Sequence, residues 1–456
     1  MIVSINPANE QTLATFALQT QEQVSAFLDK AVAAQKQWAR QSVEARCQLV
    51  ARVGAVLRRN KAEYARLITL EMGKPIAEAE AEVEKCAWTC EFYAQAAPGF
   101  LADRSVASNA SESAVVFDPL GVLLAIMPWN YPFWQFIRFA APALAAGNAA
   151  VLRHASNVPQ CALALEAAFR QAGAPEGLVT TLLVEHAAVA ALIDDPRIAA
   201  LTLTGSTEVG RQIAVQAGRA MKKQVLELGG SDPFIVLADA DVELAAKTAV
   251  KARFSNTGQS CISAKRFIVE APVADRFVEL LRAGVARLKV GDPLQRDCDV
   301  GPQARRGLRD DLHAQVERSV AAGAQLLTGG HPLDGPGHFY APTVLDHVTP
   351  DMAAGCEETF GPVAAVIRVA DAEEALRVAN DTEFGLGATL WTGDLERAKT
   401  LARRIEAGAV FINGLVASDA RLPFGGVKQS GYGRELGEFG IREFTNVKTV
   451  WIGPAK

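Results

Sequence analysis

The sequence has no excess of basic charge. Its 456 residues carry 46 Lys and Arg against 51 Asp and Glu, a formal net charge of −5. Nucleic-acid binding normally needs a basic stripe or patch, so a polyanionic partner is not expected. A secretory leader is not expected either. No Lys or Arg precedes Lys30, and the start Met1-Ile2-Val3-Ser4-Ile5-Asn6-Pro7 has no apolar run ending in small residues. The seven cysteines, at 47, 86, 90, 161, 261, 298 and 356, are odd in number and scattered, unlike a disulfide framework. Cys86 and Cys90 lie four apart in a helical stretch, but no second Cys or His pair lies nearby to complete a zinc site, so no metal is expected. Together these features point to a reduced cytoplasm. Repeats, low-complexity tracts and linkers rich in Pro, Gly or Ser are also missing.

Charge is scarce in one stretch. Between Gly121 and Leu152 the only charged residue is Arg138. Pro128, Pro132 and Pro142 interrupt this run, and Asn130, Gln135 and Asn148 add polar groups. A buried strand, a turn and a core helix therefore explain it better than a membrane span.

Half of the residues are apolar, and the length exceeds one ordinary core, so two or three packed units are expected. Residues 21–97 show helical spacing. From residue 121 short apolar runs (122–127, 149–152, 180–184, 200–204, 234–237) alternate with helical stretches (131–146, 158–172, 186–194, 206–219). That alternation predicts a parallel sheet covered on both faces, with a nucleotide at the carboxyl ends of its strands. A second α/β alternation begins near Asp241, and residues 105–118 predict a protruding hairpin.

Three segments carry candidate chemistry. In Phe254-Ser255-Asn256-Thr257-Gly258-Gln259-Ser260-Cys261, a Gly-containing turn can present a thiol. The thiolate is the attacking form, and an unperturbed thiol has a pKa of about 8.5. In Glu227-Leu228-Gly229-Gly230-Ser231-Asp232-Pro233, a carboxylate ends a strand-like run and could activate water. In Pro128-Trp129-Asn130-Tyr131-Pro132, an amide at a strand end could steady an oxyanion, where one lost donor typically costs about 10² to 10³ in rate. Taken singly, these residues also read as a small buried cysteine, a capping Glu and a turn Asn.

Together they resemble the aldehyde dehydrogenase superfamily. Further matches in the same order are Leu203-Thr204-Gly205-Ser206-Thr207-Glu208-Val209-Gly210, Glu358-Thr359-Phe360-Gly361-Pro362 and Pro423-Phe424-Gly425-Gly426-Val427-Lys428-Gln429-Ser430-Gly431. The resemblance implies an α/β fold of two Rossmann-like parallel-sheet domains plus a small oligomerisation hairpin and tail. Residues 1–103 and 118–226 would bind the cofactor, 227–430 would form the catalytic domain, and 104–117 with 438–456 would pair subunits into a homodimer or homotetramer. It also implies Cys261 as nucleophile, Glu227 as base, and Asn130 with the Cys261 N–H as oxyanion donors. Trp129, Asn130, Gly205, Ser206 and Leu228 would meet the cofactor, and Glu358 its nicotinamide ribose.

Gly205-Ser206 closes a strand and opens a helix, where pyrophosphate can meet backbone N–H groups, although no G-x-G-x-x-G occurs there. On the adenosine side the chain reads Leu152-Arg153-His154-Ala155-Ser156. NAD-preferring relatives tend to carry Glu where Ser156 stands. Arg153 can pair with a 2′-phosphate and Ser156 can donate to it, so NADP is expected in preference to NAD. Arg153 stands where most relatives have Lys, so ordinary ribose contact is the alternative.

Arg138 lies four residues after Trp134 and eight after Asn130, which predicts all three near one helix face. A charge among apolar residues needs a partner, either an internal acid or the distal carboxylate of a substrate. The segments Gly258–Phe267 and Ala417–Phe424 resemble the short bacterial succinate-semialdehyde dehydrogenases. That resemblance implies a pocket lined by Trp134, Arg138, Ser418 and Phe424, favours the substrate carboxylate as partner, and makes succinate semialdehyde the expected aldehyde. Glutarate semialdehyde or another small or acidic aldehyde is the alternative, followed by a non-catalytic protein that keeps the fold. Ile262 and Ser263 come directly after Cys261, so a local disulfide there is excluded.

Overall fold

The unbroken apolar run Val122–Met127 is a strand buried on both faces in the computed structural model, which describes residues 1–453. Residues 454–456, the end of the expected oligomerisation segment 438–456, lie outside the described residues. Val122–Met127 sits inside a sheet with the order Gly431–Tyr432, Lys223–Glu227, Ile198–Thr204, Val122–Met127, Ala149–His154 and Val179–Thr181. All neighbours run parallel except Gly431–Tyr432, which comes back from late in the chain to pair antiparallel with Lys223–Glu227. Gly431 lies opposite Glu227, so this returning strand pairs with the backbone of the residue expected to act as base.

A second sheet has seven strands in the order Gln325–Thr328, Thr343–Asp346, Val363–Val369, Ala264–Glu270, Asp232–Val236, Gly387–Trp391 and Ala409–Ile412. Only its edge strand Gln325–Thr328 is antiparallel. Helices pack on both faces of each sheet, as parallel strands require. The predicted hairpin forms between Arg104–Ser105 and Glu112–Pro119, and Thr445–Ile452 adds a third antiparallel strand to it. Among the described residues, no helix is long and apolar enough to cross a membrane.

The charge-poor stretch divides as a strand, a turn and the helix Trp134–Ala145, whose every residue is buried. This helix starts later than its apolar spacing suggests. Pro132 disfavours helical geometry at Tyr131, so Asn130 stays in the preceding turn and does not share a helical face with Trp134 and Arg138. The run expected at 180–184 is likewise shorter, ending as a strand at Thr181.

The Trp134 helix has no side-chain cap of its own. Glu82, from the long helix Ile76–Phe100, accepts from the N–H groups of Phe133 and Trp134 at 2.9 and 3.0 Å through one oxygen. Its other oxygen pairs with Lys74, and both side chains are essentially fully buried. One carboxylate thus satisfies two orphan helix donors and one buried ammonium. Glu82→Ala should lower unfolding stability by about 3–5 kcal/mol, because it strands a buried Lys74 charge. Urea denaturation checks this, and a loss under about 1 kcal/mol would contradict the buried pairing.

Candidate active site

Cys261 comes after the helix Val242–Phe254 and the tight turn Ser255–Gly258. Asn256 and Thr257 take φ values of 54° and 56° in that turn, a costly geometry for residues with side chains. Gly258, at φ +69°, approaches the chain at Gly361 so closely that a Cβ would lie 2.3 Å from the Gly361 carbonyl oxygen. Lys265 holds the segment between this turn and the next strand. Its buried ammonium donates to the carbonyls of Ser260, Cys261 and Ser263 at 2.9, 2.7 and 3.3 Å. The same Nζ lies 3.7 Å from Glu358 Oε1.

The half-buried Cys261 side chain lies where two cavities meet. The first, of about 350 Å³, is lined by Trp129, Asn130, Arg153, Gly205, Ser206, Leu228 and Glu358 as well as Cys261. Ser206 caps the helix Thr207–Arg219, accepting from the Val209 N–H at 3.4 Å, so free N–H groups of the first turn face this space. Glu358 is steadied by the Gly230 N–H at 3.0 Å, and a Cβ on Gly229 would lie 2.5 Å from its other oxygen. Arg153 also reaches a neighbouring cavity of about 790 Å³, which Ser156 lines. Its Nε is buried without a hydrogen-bond partner, and no acid pairs with it among the described residues. A dinucleotide fits these features: a helix N-terminus for pyrophosphate, a carboxylate for ribose hydroxyls and an uncompensated guanidinium for a phosphate.

The second cavity, of about 570 Å³, is lined by Lys85, Trp134, Arg138, Ser418 and Phe424 together with Cys261. The sequence left Arg138 with two possible partners, and the internal one is present. Its Nε forms a buried ion pair with Glu435, its Nη2 lies 3.4 Å from Thr204 Oγ1, and its guanidinium lies 4.6 Å from the Phe424 ring centroid. Asn130 is held by its neighbours. Its Nδ2 donates to the Gln259 carbonyl, and its own carbonyl accepts from Asn256 Nδ2, each at 3.0 Å. The second Nδ2 hydrogen of Asn130 therefore remains for another acceptor.

Glu227 is buried, and neither carboxylate oxygen has a hydrogen-bond partner. Burial raises its pKa well above the usual carboxylate range, and the charge of Glu435 adds to this, while Arg138 and Arg434 oppose it. Burial also dominates at Cys261, pushing the thiol up to about 12 against the opposing charges of Arg138 and Lys265. Three residues of this centre were not singled out by the sequence: Lys265, Glu435 and Lys85. Arg138 itself was a signal for Glu435, since a buried charge requires a counter-charge. Lys265 and Lys85 sit in segments whose spacing gives no sign of their burial.

The chain belongs to the aldehyde dehydrogenase family, whose model matches residues 1–450. A protein of Synechocystis sp. named probable succinate-semialdehyde dehydrogenase (NADP+) is 52% identical over 451 residues, covering 99% of each chain. The Escherichia coli succinate semialdehyde dehydrogenase (NAD(P)+) is 49% identical, over 98% of this chain and 97% of that protein. The crystal structure of succinic semialdehyde dehydrogenase from Streptococcus pyogenes, in complex with NADP+ as the cofactor, superposes with a TM-score of 0.97. It is 38% identical, and the match covers all of both chains.

The buried thiol makes a direct prediction for the cofactor-free protein. A thiol whose protonated form is favoured gains thiolate tenfold per pH unit until pH nears its raised pKa. Peptide-resolved iodoacetamide labelling of Cys261 should therefore climb about tenfold per unit from pH 7 to 10. A plateau near pH 8.5 would contradict the burial argument.

Proposed function

We propose that this protein oxidises succinate semialdehyde to succinate, using NADP in preference to NAD, through a thioester on Cys261. The observation that carries this reading is the position of Cys261 between a nucleotide-shaped cavity and a separate pocket bearing Arg138, Trp134, Ser418 and Phe424. The names of the relatives at about half identity support it.

The chemistry is dictated by the residues. After the thiol proton has passed to solvent, the Cys261 thiolate adds to the aldehyde carbon, and the resulting oxyanion is steadied by the remaining Asn130 amide hydrogen and the Cys261 N–H. When bound, the cofactor supplies a positively charged nicotinamide that favours the thiolate and accepts hydride. Loss of hydride from the tetrahedral carbon leaves a thioester on Cys261. Glu227 takes a proton from water, which attacks the thioester carbon and releases the acid. Once ionised, Glu227 holds the abstracted proton more readily than an ordinary carboxylate, because burial raises its pKa.

The cofactor preference rests on Arg153 and Ser156. An unpaired guanidinium and a hydroxyl line the same cavity, and no carboxylate stands at position 156 to repel a 2′-phosphate. Trp129, Gly205, Ser206, Leu228 and Glu358 hold the rest of the dinucleotide. The division of labour is read from the family resemblance: 1–103 and 118–226 for cofactor, 227–430 for catalysis, and 104–117 with 438–456 for subunit pairing. Val447 and Trp451 are 60% and 51% exposed on one face of the terminal strand, an apolar surface suited to a homodimer or homotetramer. The protein works in the cytoplasm, a setting that suits its free cysteines.

The test is a panel of aldehydes assayed with both cofactors. Succinate semialdehyde with NADP should give the highest kcat/KM. Equal kcat/KM for butanal would contradict the acidic-aldehyde reading, and equal values for NAD and NADP would contradict the cofactor preference.

A further inference from the structure

The substrate-side pocket holds two buried or half-buried cations of different electrostatic standing. Arg138 has its counter-charge in Glu435. Lys85, on the helix Ile76–Phe100, has no acid within ion-pair distance among the described residues. The two acids whose charges reach it each belong to another cation. Glu82 is paired with Lys74, and Asp419 with Arg421 at 2.6 Å. What Lys85 does have is a seat. Its Nζ donates to Ser418 Oγ at 2.7 Å and lies 4.1 Å from the Trp134 ring centroid.

We propose that Lys85 is the specificity-determining cation of this pocket, receiving the distal carboxylate of the substrate together with the Ser418 hydroxyl. The inference rests on the acidic-aldehyde reading and assigns the compensating charge to a residue outside the motifs that led to it. An ammonium has three donors, and Ser418 takes one. The remaining N–H groups are available to a carboxylate in the cavity that Cys261 also lines. Arg138 remains part of the pocket wall, but its charge is already balanced, so a carboxylate beside it would also face Glu435. An acid arriving at Lys85 meets an unbalanced positive charge and forms charge-assisted hydrogen bonds in a partly desolvated site. Burial and the neighbouring Arg138 charge push the Lys85 ammonium down to about 8, and a bound carboxylate relieves both effects. The Trp134 face fixes the ammonium from one side, leaving little freedom to be lost on binding.

The test compares succinate semialdehyde with butanal, its uncharged analogue, in the full-length protein with NADP. The readout is the ratio of the two kcat/KM values. Lys85→Met should lower that ratio about ten- to hundredfold, mostly through KM for the acid, and Lys85→Arg should retain most of it. Inhibition of butanal oxidation by succinate should weaken by a similar factor. Lys85→Gln, which keeps a donor for Ser418, replaces the methionine variant if that one does not fold. A wild-type ratio preserved in the Met or Gln variant would overturn the role of Lys85 and leave the semialdehyde reading standing. A wild-type protein with no preference for the acidic aldehyde would overturn both.

Discussion

The contact on which the candidate centre depends is the buried Lys265 ammonium, which donates to three carbonyls of the segment 260–263 that carries Cys261 and follows the turn Ser255–Gly258. Fully enclosed, it cannot exchange those oxygens for water, so breaking one bond leaves a buried donor unmade. The turn is strained at Asn256 and Thr257, and such geometry persists only where its surroundings over-determine it. Glu78, which accepts from the Asn256 N–H, the Asn130 carbonyl, which accepts from Asn256 Nδ2, and the Gly301 N–H, which donates to Thr257 Oγ1, supply that constraint. Lys265 fixes residues 260–263 from the strand Ala264–Glu270, and its proximity to Glu358 ties the thiol loop to the cofactor-side wall. The sulfur is thereby held at the boundary of two cavities, which is what a transfer between an aldehyde and a dinucleotide requires.

Around this fixed point the charges are arranged in a chain. Arg138 pairs with Glu435 and bears on Glu227, Cys261 and Lys85. Glu227 and Glu435 cannot both ionise cheaply in so dry a place; burial first, and the Glu435 charge second, hold the Glu227 carboxyl well above its usual range. Desolvation rather than charge sets the resting state of the thiol. On the proposed mechanism, the positive charge of a bound nicotinamide would favour the thiolate and so make this quiet cysteine a nucleophile beside the aldehyde.

The sequence made the architecture legible where periodicity was strong. Val122–Met127 was delimited correctly, because an unbroken apolar run bounded by turn residues has few other solutions. Boundaries failed where local chemistry overrode spacing, as at Pro132, which delayed the helix and left Asn130 in a turn. The short strand Gly431–Tyr432 carries no periodicity, yet it pairs with the strand that ends at Glu227. Of the motif residues, Cys261, Asn130 and Glu358 line one cavity, whereas Glu227 is in the lining of neither cavity beside the thiol. Partnerships between distant residues were not legible. Arg138 announced that it needed a partner, but only the folded chain identifies Glu435, and nothing in the spacing around Lys85 separates it from an ordinary surface lysine.

Covalent capture of the substrate is the step most directly open to measurement. Glu227→Gln protein, mixed with succinate semialdehyde and NADP and then acid-quenched, can be digested and its peptides weighed by mass spectrometry. A succinyl group on the Cys261 peptide, with one equivalent of reduced cofactor and then a stall, is the result expected when hydride transfer precedes base-assisted hydrolysis. Continued turnover, or reduced cofactor formed with no acyl group on that peptide, would contradict it.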